Sequence, residues 1–177
     1  RIAADNICGG NSHFHGSQGS SVLKLFSLTA ASTGINEKAA QAAGIAYDKV
    51  VLFPASHATY YPGAQSMAMK VLYEKESLRL LGAQIVGGEG VDKRIDVLAT
   101  AIRAKMTALE LTELDLSYAP PYSSAKDPVN MAGFMIEDLE SGKVRQFHWN
   151  EVEDLPCDGS ATLLDVRTAW EYQRGHL

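Results

Sequence analysis

Cysteine is scarce: Cys8 and Cys157 are the only two among 177 residues, and they lie too far apart for a Cys-x-x-Cys redox or metal pair. So thin a content does not staple a secreted scaffold, and two reduced thiols with packing roles are expected. Equally absent is any run of roughly 18 uninterrupted apolar residues, the length a membrane-spanning helix needs. Arg1-Ile2-Ala3-Ala4-Asp5 lacks the basic-then-apolar design of a signal peptide. Basic runs are missing too: Lys+Arg 16 against Asp+Glu 21 leaves a formal charge of -5, which disfavours a nucleic-acid partner. The expectation is a cytoplasmic protein with neither membrane nor nucleic acid as partner.

What is present reads as alternating strands and helices without repeats. Residues 1–8 form the last turns of a helix that stops at Gly9-Gly10. Residues 21–28, with β-branched and aromatic content between Gly/Ser punctuation, predict one strand. Asn36 caps a short helix over 37–43 that Gly44 ends. A strand over 49–53 halts at Pro54, and Pro62-Gly63 marks a turn. Met67, Met69, Val71 and Tyr73 alternate with Ala68, Lys70, Leu72 and Glu74, the pattern of a half-buried strand. The run 78–86, with Gly82 inside it, pairs back as an antiparallel hairpin with a bulge. Asp92 caps a helix whose Ile95, Leu98, Ala99, Ile102 and Met106 form an apolar stripe covering a sheet or a partner subunit. A short helix over 109–114, a stiff extended Pro120-Pro121 link and a helix opened by Asp127-Pro128 follow. That last helix, to about Leu139, carries Val129, Met131, Ala132, Met135 and Ile136 and ends before Ser141-Gly142. The fold class is α+β, a two-layer sandwich of an antiparallel sheet and helices.

Gly87-Gly88-Glu89-Gly90 joins a strand to a helix, where phosphates bind helix N-termini, but it does not match Gly-x-Gly-x-x-Gly and its strand is antiparallel. A tight structural turn is the reading. His13 and His15 offer two metal ligands without a nearby third. Tyr60-Tyr61-Pro62-Gly63 and Ser117-Tyr118-Ala119-Pro120-Pro121-Tyr122 lie in irregular segments. Their rings fit interface aromatics, and their phenols fit hydrogen-bond donors to a developing anion.

Read in order, five motifs resemble the C-terminal part of the coenzyme A disulfide reductases. They are Arg1-Ile-Ala-Ala-Asp-Asn-Ile-Cys-Gly9, Phe26 to Gly34 with Asn36-Glu37, His57-Ala-Thr-Tyr-Tyr-Pro-Gly-Ala64, Gly87-Gly-Glu-Gly-Val-Asp-Lys-Arg-Ile-Asp96, and Tyr118-Ala-Pro-Pro-Tyr-Ser123 with Asp127-Pro128-Val-Asn130. The resemblance implies a homodimeric flavoprotein of the pyridine nucleotide-disulfide oxidoreductase class, which uses FAD and NAD(P)H bound by N-terminal domains. A cysteine outside this chain would exchange with coenzyme A. Residues 1–12 would end the FAD domain and 13–142 would form the dimerisation domain. Tyr60 and Tyr118 match the two family tyrosines that enter the partner's substrate site. The implied substrate is a coenzyme A disulfide, persulfide or polysulfide; an NADH oxidase or peroxidase of the same class, or a dimerising module without chemistry, are the alternatives.

The end of the chain, Leu163-Leu-Asp-Val-Arg-Thr-Ala-Trp-Glu-Tyr-Gln-Arg-Gly-His-Leu177, resembles the opening of a rhodanese domain, with Asp165, Arg167, Glu171 and His176 at framework positions. Residues 143–177 are therefore expected to be a truncated rhodanese-like domain, lacking the downstream cysteine of rhodanese chemistry, and the chain a fragment of a longer enzyme. Alone it is expected to be inactive and to retain neither FAD nor NAD(P)H.

Overall fold

The computed structural model describes residues 1–156, 158–160, 162 and 164–175. Cys157, Leu163, His176 and Leu177 lie outside them, and with them part of the rhodanese-like motif. The chain divides into two units, Arg1–Val144 and Arg145–Leu177.

The first unit contains α1 (Ile2–Ile7), β1 (Ser21–Leu25), β2 (Leu28–Gly34), α2 (Glu37–Ala42), β3 (Tyr47–Leu52), β4 (Met67–Glu74) and β5 (Leu80–Gly87). Helix α3 (Val91–Arg103), a 3-10 helix (Leu109–Glu113) and α4 (Pro128–Glu140) complete it. All five strands form one antiparallel sheet in the order β1-β2-β5-β4-β3. The expected α+β sandwich is the fold observed.

One face of the sheet builds the core. Val50 on β3, Met67, Met69, Val71 and Tyr73 on β4, and Leu80, Ala83 and Ile85 on β5 are all buried there. Leu80 and Ala83 differ in parity, so a regular strand would send them to opposite faces. The β4–β5 register shifts between Leu72 and Tyr73, pairing Leu72 with Gly82 and Tyr73 with Leu80. The extra residue, Leu81, is the bulge expected at this glycine, and it restores Leu80 to the core side. The Leu81 carbonyl instead accepts from Ile35 N at 3.0 Å. A Cβ on Gly82 would lie 1.9 Å from the Ile35 oxygen, so only glycine allows this crossing.

Helices α3 and α4 cover the same face with Val91, Ile95, Leu98, Ala101, Val129, Ala132 and Ile136. The stripe on α3 thus packs on the sheet. On the opposite face, Glu37 at the start of α2 reaches Lys49 at 2.6 Å and Lys70 at 2.7 Å. Asn36 caps α2 as expected, accepting from Ala39 N at 2.9 Å.

Three expectations are corrected. The segment 21–28 is two strands: β1 ends at Leu25 and Phe26, at φ 53, turns the chain into β2. The cap of α3 is Gly90 at φ 72, and Asp92 sits inside the first turn, where a carboxylate favours the helix dipole. Pro120-Pro121 occupies a tight turn closed by Tyr122 N to Ala119 O at 2.9 Å, not an extended link. Met131 faces outward, 39% exposed. Helix α4 opens as expected, with a capping box between Asp127 and Asn130 behind Pro128.

The second unit contains a 3-10 helix (Trp149–Asp154) and α5 (Ala169–Gln173). Thr168 and Glu171 form the capping box of α5, and Arg167 pairs with Asp165 at 2.6 Å. Three of the four framework positions, Asp165, Arg167 and Glu171, therefore hold local structure here.

Candidate functional site

Two irregular segments meet at one end of the sheet. Residues 53–66 leave β3 and return as β4, closed at their base by Ser56 N to Gln65 O at 2.8 Å and Met67 N to Pro54 O at 2.9 Å. Residues 115–127 lead from the 3-10 helix into α4. A direct hydrogen bond joins them, Ala58 N to Ser123 O at 3.1 Å. Pro62, Pro120 and Pro121 fix their own φ in the tips, and Gly63 turns the first at φ 94.

The structure brings the two singled-out tyrosines together. Their hydroxyls lie 2.9 Å apart across 58 residues of sequence. Both are accessible, Tyr60 at 75% and Tyr118 at 49% exposure, with Tyr61 and Tyr122 exposed beside them. The hydrogen bond to Tyr118, with lesser help from burial and from charge on Tyr118, raises the Tyr60 pKa above the ordinary phenol value. The raised value keeps the Tyr60 phenol protonated, a donor of hydrogen bonds and not a base. One hydroxyl spends its proton on the other, leaving one O–H free for a ligand. Polarisation along such a chain strengthens that outer donor.

Beneath the tyrosines lies a buried ionic cluster that sequence reasoning did not single out. Arg94 is 1% exposed and Asp127 3%. The guanidinium donates to Asp127 Oδ2 at 2.9 Å and to the Ser56 carbonyl at 2.8 Å, with Gly90 O at 3.2 Å and Tyr122 O at 3.3 Å also in reach. Ser123 Oγ donates to Asp127 Oδ2 at 2.7 Å. Burial works to raise the Asp127 pKa, but the Val129 amide, Ser123 and Arg94 outweigh it and hold the carboxyl below its usual value. A signal existed: Arg94 falls at i+3 from Val91 and i−4 from Leu98, a charge placed on the apolar stripe of α3.

The glycine turn does not fit a nucleotide phosphate. A Cβ on Gly88 would strike Gln65 Oε1 at 1.6 Å, and one on Gly90 would strike Arg94 Nη1 at 2.1 Å. Two side chains therefore already fill the space that a phosphate cradle leaves open, and the adjoining sheet is antiparallel. Around His13 and His15 no group of three or more His, Cys, Asp or Glu residues comes together among the described residues. Cys8 is exposed and unbridged. Among the described residues no helix is long and apolar enough to cross a membrane.

Comparison with known proteins bears on this geometry. Residues 20–128 match the family model "Pyridine nucleotide-disulphide oxidoreductase, dimerisation domain". A coenzyme A disulfide reductase of Staphylococcus epidermidis is 42% identical over 137 residues, 77% of this chain and 31% of that protein. The solved structure of an NAD-dependent persulfide reductase from A. fulgidus is 46% identical with a TM-score of 0.76, covering 78% of this chain and 26% of its own. That of reduced Bacillus anthracis CoADR-RHD is 45% identical with a TM-score of 0.89, covering 98% of this chain and 31% of its own. The chain thus spans about a third of the curated relative it matches.

Proposed function

Because the chain belongs to the pyridine nucleotide-disulphide oxidoreductase family through its dimerisation domain, we propose that it forms the homodimer interface of an FAD-dependent, NAD(P)H-driven reductase of coenzyme A disulfide, persulfide or polysulfide. In that enzyme residues 1–12 end the FAD domain, 13–142 make the dimerisation domain, and 143–177 begin a rhodanese-like domain. The extent of the likeness to the Bacillus anthracis structure, which reaches through the tail, supports the last assignment. FAD and NAD(P)H are then held by the rest of the enzyme, and the reducing equivalents come from there.

The observation that carries the reading is the 2.9 Å contact between the Tyr60 and Tyr118 hydroxyls on two accessible loops. Reduction of a disulfide proceeds by attack of a thiolate on one sulfur. The sulfur–sulfur bond breaks and its electron pair leaves on the second sulfur as a new thiolate. That charge develops in the transition state. A neutral phenol pair set beside the leaving sulfur donates a hydrogen bond to it and lowers the barrier. Tyr60 and Tyr118 act in this way on the partner subunit's substrate, with the redox cysteine supplied outside this chain.

In the full-length enzyme, Tyr60→Phe and Tyr118→Phe keep the rings and remove the hydroxyls. Dimerisation and flavin content are expected to survive, while turnover falls by roughly 10- to 1,000-fold, about 1.4 to 4 kcal/mol. Steady-state kinetics with coenzyme A disulfide and with a persulfide measure this. Unchanged kcat and KM for both substrates in both variants would show that the tyrosines are interface aromatics only. Pairing a Tyr118→Phe subunit with one lacking the redox cysteine tests the geometry: action across the interface puts both defects in one site and leaves the other intact.

A further inference from the structure

We infer that Arg94 is the positioning residue of the tyrosine pair, its buried guanidinium tying the two loops together so that Tyr60 and Tyr118 meet. The inference rests on the reading of those tyrosines as the acting pair. The loops come from distant parts of the sequence and each tip is exposed; Ala58 N to Ser123 O at 3.1 Å is one direct tie between them, and Arg94 adds a buried second tie at their base. Arg94 Nη2 reaches the Ser56 carbonyl, four residues before Tyr60, at 2.8 Å. The same nitrogen reaches the Tyr122 carbonyl, four residues after Tyr118, at 3.3 Å, and Ser123 Oγ at 3.4 Å. Asp127, at the cap of α4, fixes the orientation of the guanidinium through Nη2 at 2.9 Å and Nε at 3.4 Å.

The chemistry suits arginine alone. A planar fork with five donors serves several fixed acceptors at once, where a lysine offers one point charge with three donors on a flexible stem. A buried guanidinium must find acceptors for its five donors, and one carboxylate does not supply them all. This one also contacts a main-chain carbonyl in each tyrosine loop, and a third at Gly90 at 3.2 Å. Every buried side-chain polar atom among the described residues has a partner, so the network has no slack to absorb a shorter donor set.

The test uses the full-length enzyme with the variants Arg94→Lys and Asp127→Asn. Glu37→Gln, which breaks the ion pairs on the far side of the sheet, controls for lost stability without touching either loop. Arg94→Lys is expected to keep dimer and flavin, to show the Tyr60 and Tyr118 hydroxyls beyond hydrogen-bond reach in its crystal structure, and to lose roughly 100-fold in turnover, in kcat more than in KM. Introduced into the Tyr60→Phe/Tyr118→Phe enzyme it should add no further loss. Glu37→Gln should lower the melting temperature and leave kcat alone. If Arg94→Lys does not fold, Asp127→Asn carries the test, because it removes the charge that orients the guanidinium while keeping a side-chain oxygen to cap α4. A folded variant that retains both the hydroxyl contact and full turnover overturns the inference. If the double tyrosine variant turns over like the parent, the proposed function falls instead, while the hydroxyl distance in Arg94→Lys still decides the role of Arg94.

Discussion

Replacing Gly82 by alanine isolates the cost of a forbidden contact from the cost of a forbidden backbone conformation. Gly82 has no positive φ, so alanine is conformationally acceptable there. Its methyl, however, would stand 1.9 Å from the Ile35 oxygen, 2.8 Å from its nitrogen and 2.9 Å from its carbonyl carbon. All three are backbone atoms, which cannot swing aside as a side-chain tip can. Relief requires the crossing strand to retreat by on the order of 1 Å, which also gives up the Ile35 N to Leu81 O bond of 3.0 Å. Overpacking of this kind plus one hydrogen bond sums to about 3 kcal/mol or more. Gly44 is the opposite case: φ is +65 but nothing lies within 4 Å of the added methyl. Gly44→Ala should therefore cost about 1 kcal/mol, the left-handed penalty alone. Urea unfolding followed by far-ultraviolet circular dichroism gives both values. A Gly82→Ala protein no less stable than Gly44→Ala would refute the account of the crossing.

The Glu37 carboxyl is partly buried, which works against ionisation, yet Lys49 and Lys70 outweigh this and bring its pKa down to about 2. A depressed carboxylate contributes stability above its unfolded value of about 4.3, and that contribution is lost as pH falls through about 2; it amounts to at most about 3 kcal/mol. Unfolding measured from pH 5 to 2 should therefore fall more steeply for the parent than for Glu37→Gln, and parallel curves would count against the charge cluster. The Tyr60 phenol, raised by its bond to Tyr118, should titrate closer to an ordinary tyrosine in Tyr118→Phe. Ultraviolet difference titration reads this; an unmoved Tyr60 would mean the hydroxyls do not meet in solution.

Strongly patterned elements were legible in the sequence. The β4 alternation from Met67 to Tyr73, the Asn36 and Asp127 caps and the bulge near Gly82 each rest on local chemistry that the fold preserves. What escaped was local chemistry overridden by distant partners. Strand β2 reads Leu-Thr-Ala-Ala-Ser-Thr-Gly, too small and polar to announce itself, and it pairs through β5 at its side. The turn before it uses Phe26 at positive φ where glycine or asparagine is the usual sign. Tyr60 and Tyr118 were legible as a site only through family likeness, because no spacing rule relates residues 58 apart. Arg94 was not singled out, because its partners Ser56, Tyr122 and Asp127 come from distant parts of the sequence.

The strand order has a consequence in time. β3, β4 and β5 are neighbours in both sequence and space, so they can assemble as soon as the polypeptide reaches Gly87. The β1–β2 hairpin is made earlier but adds to the sheet through β5, pairing Gly34 with Gly82. On a growing chain it therefore waits with the β2 edge unpaired until β5 is made. Slow translation between Gly34 and Gly82 prolongs that wait, and rare codons there would cost soluble yield while leaving the finished protein unchanged.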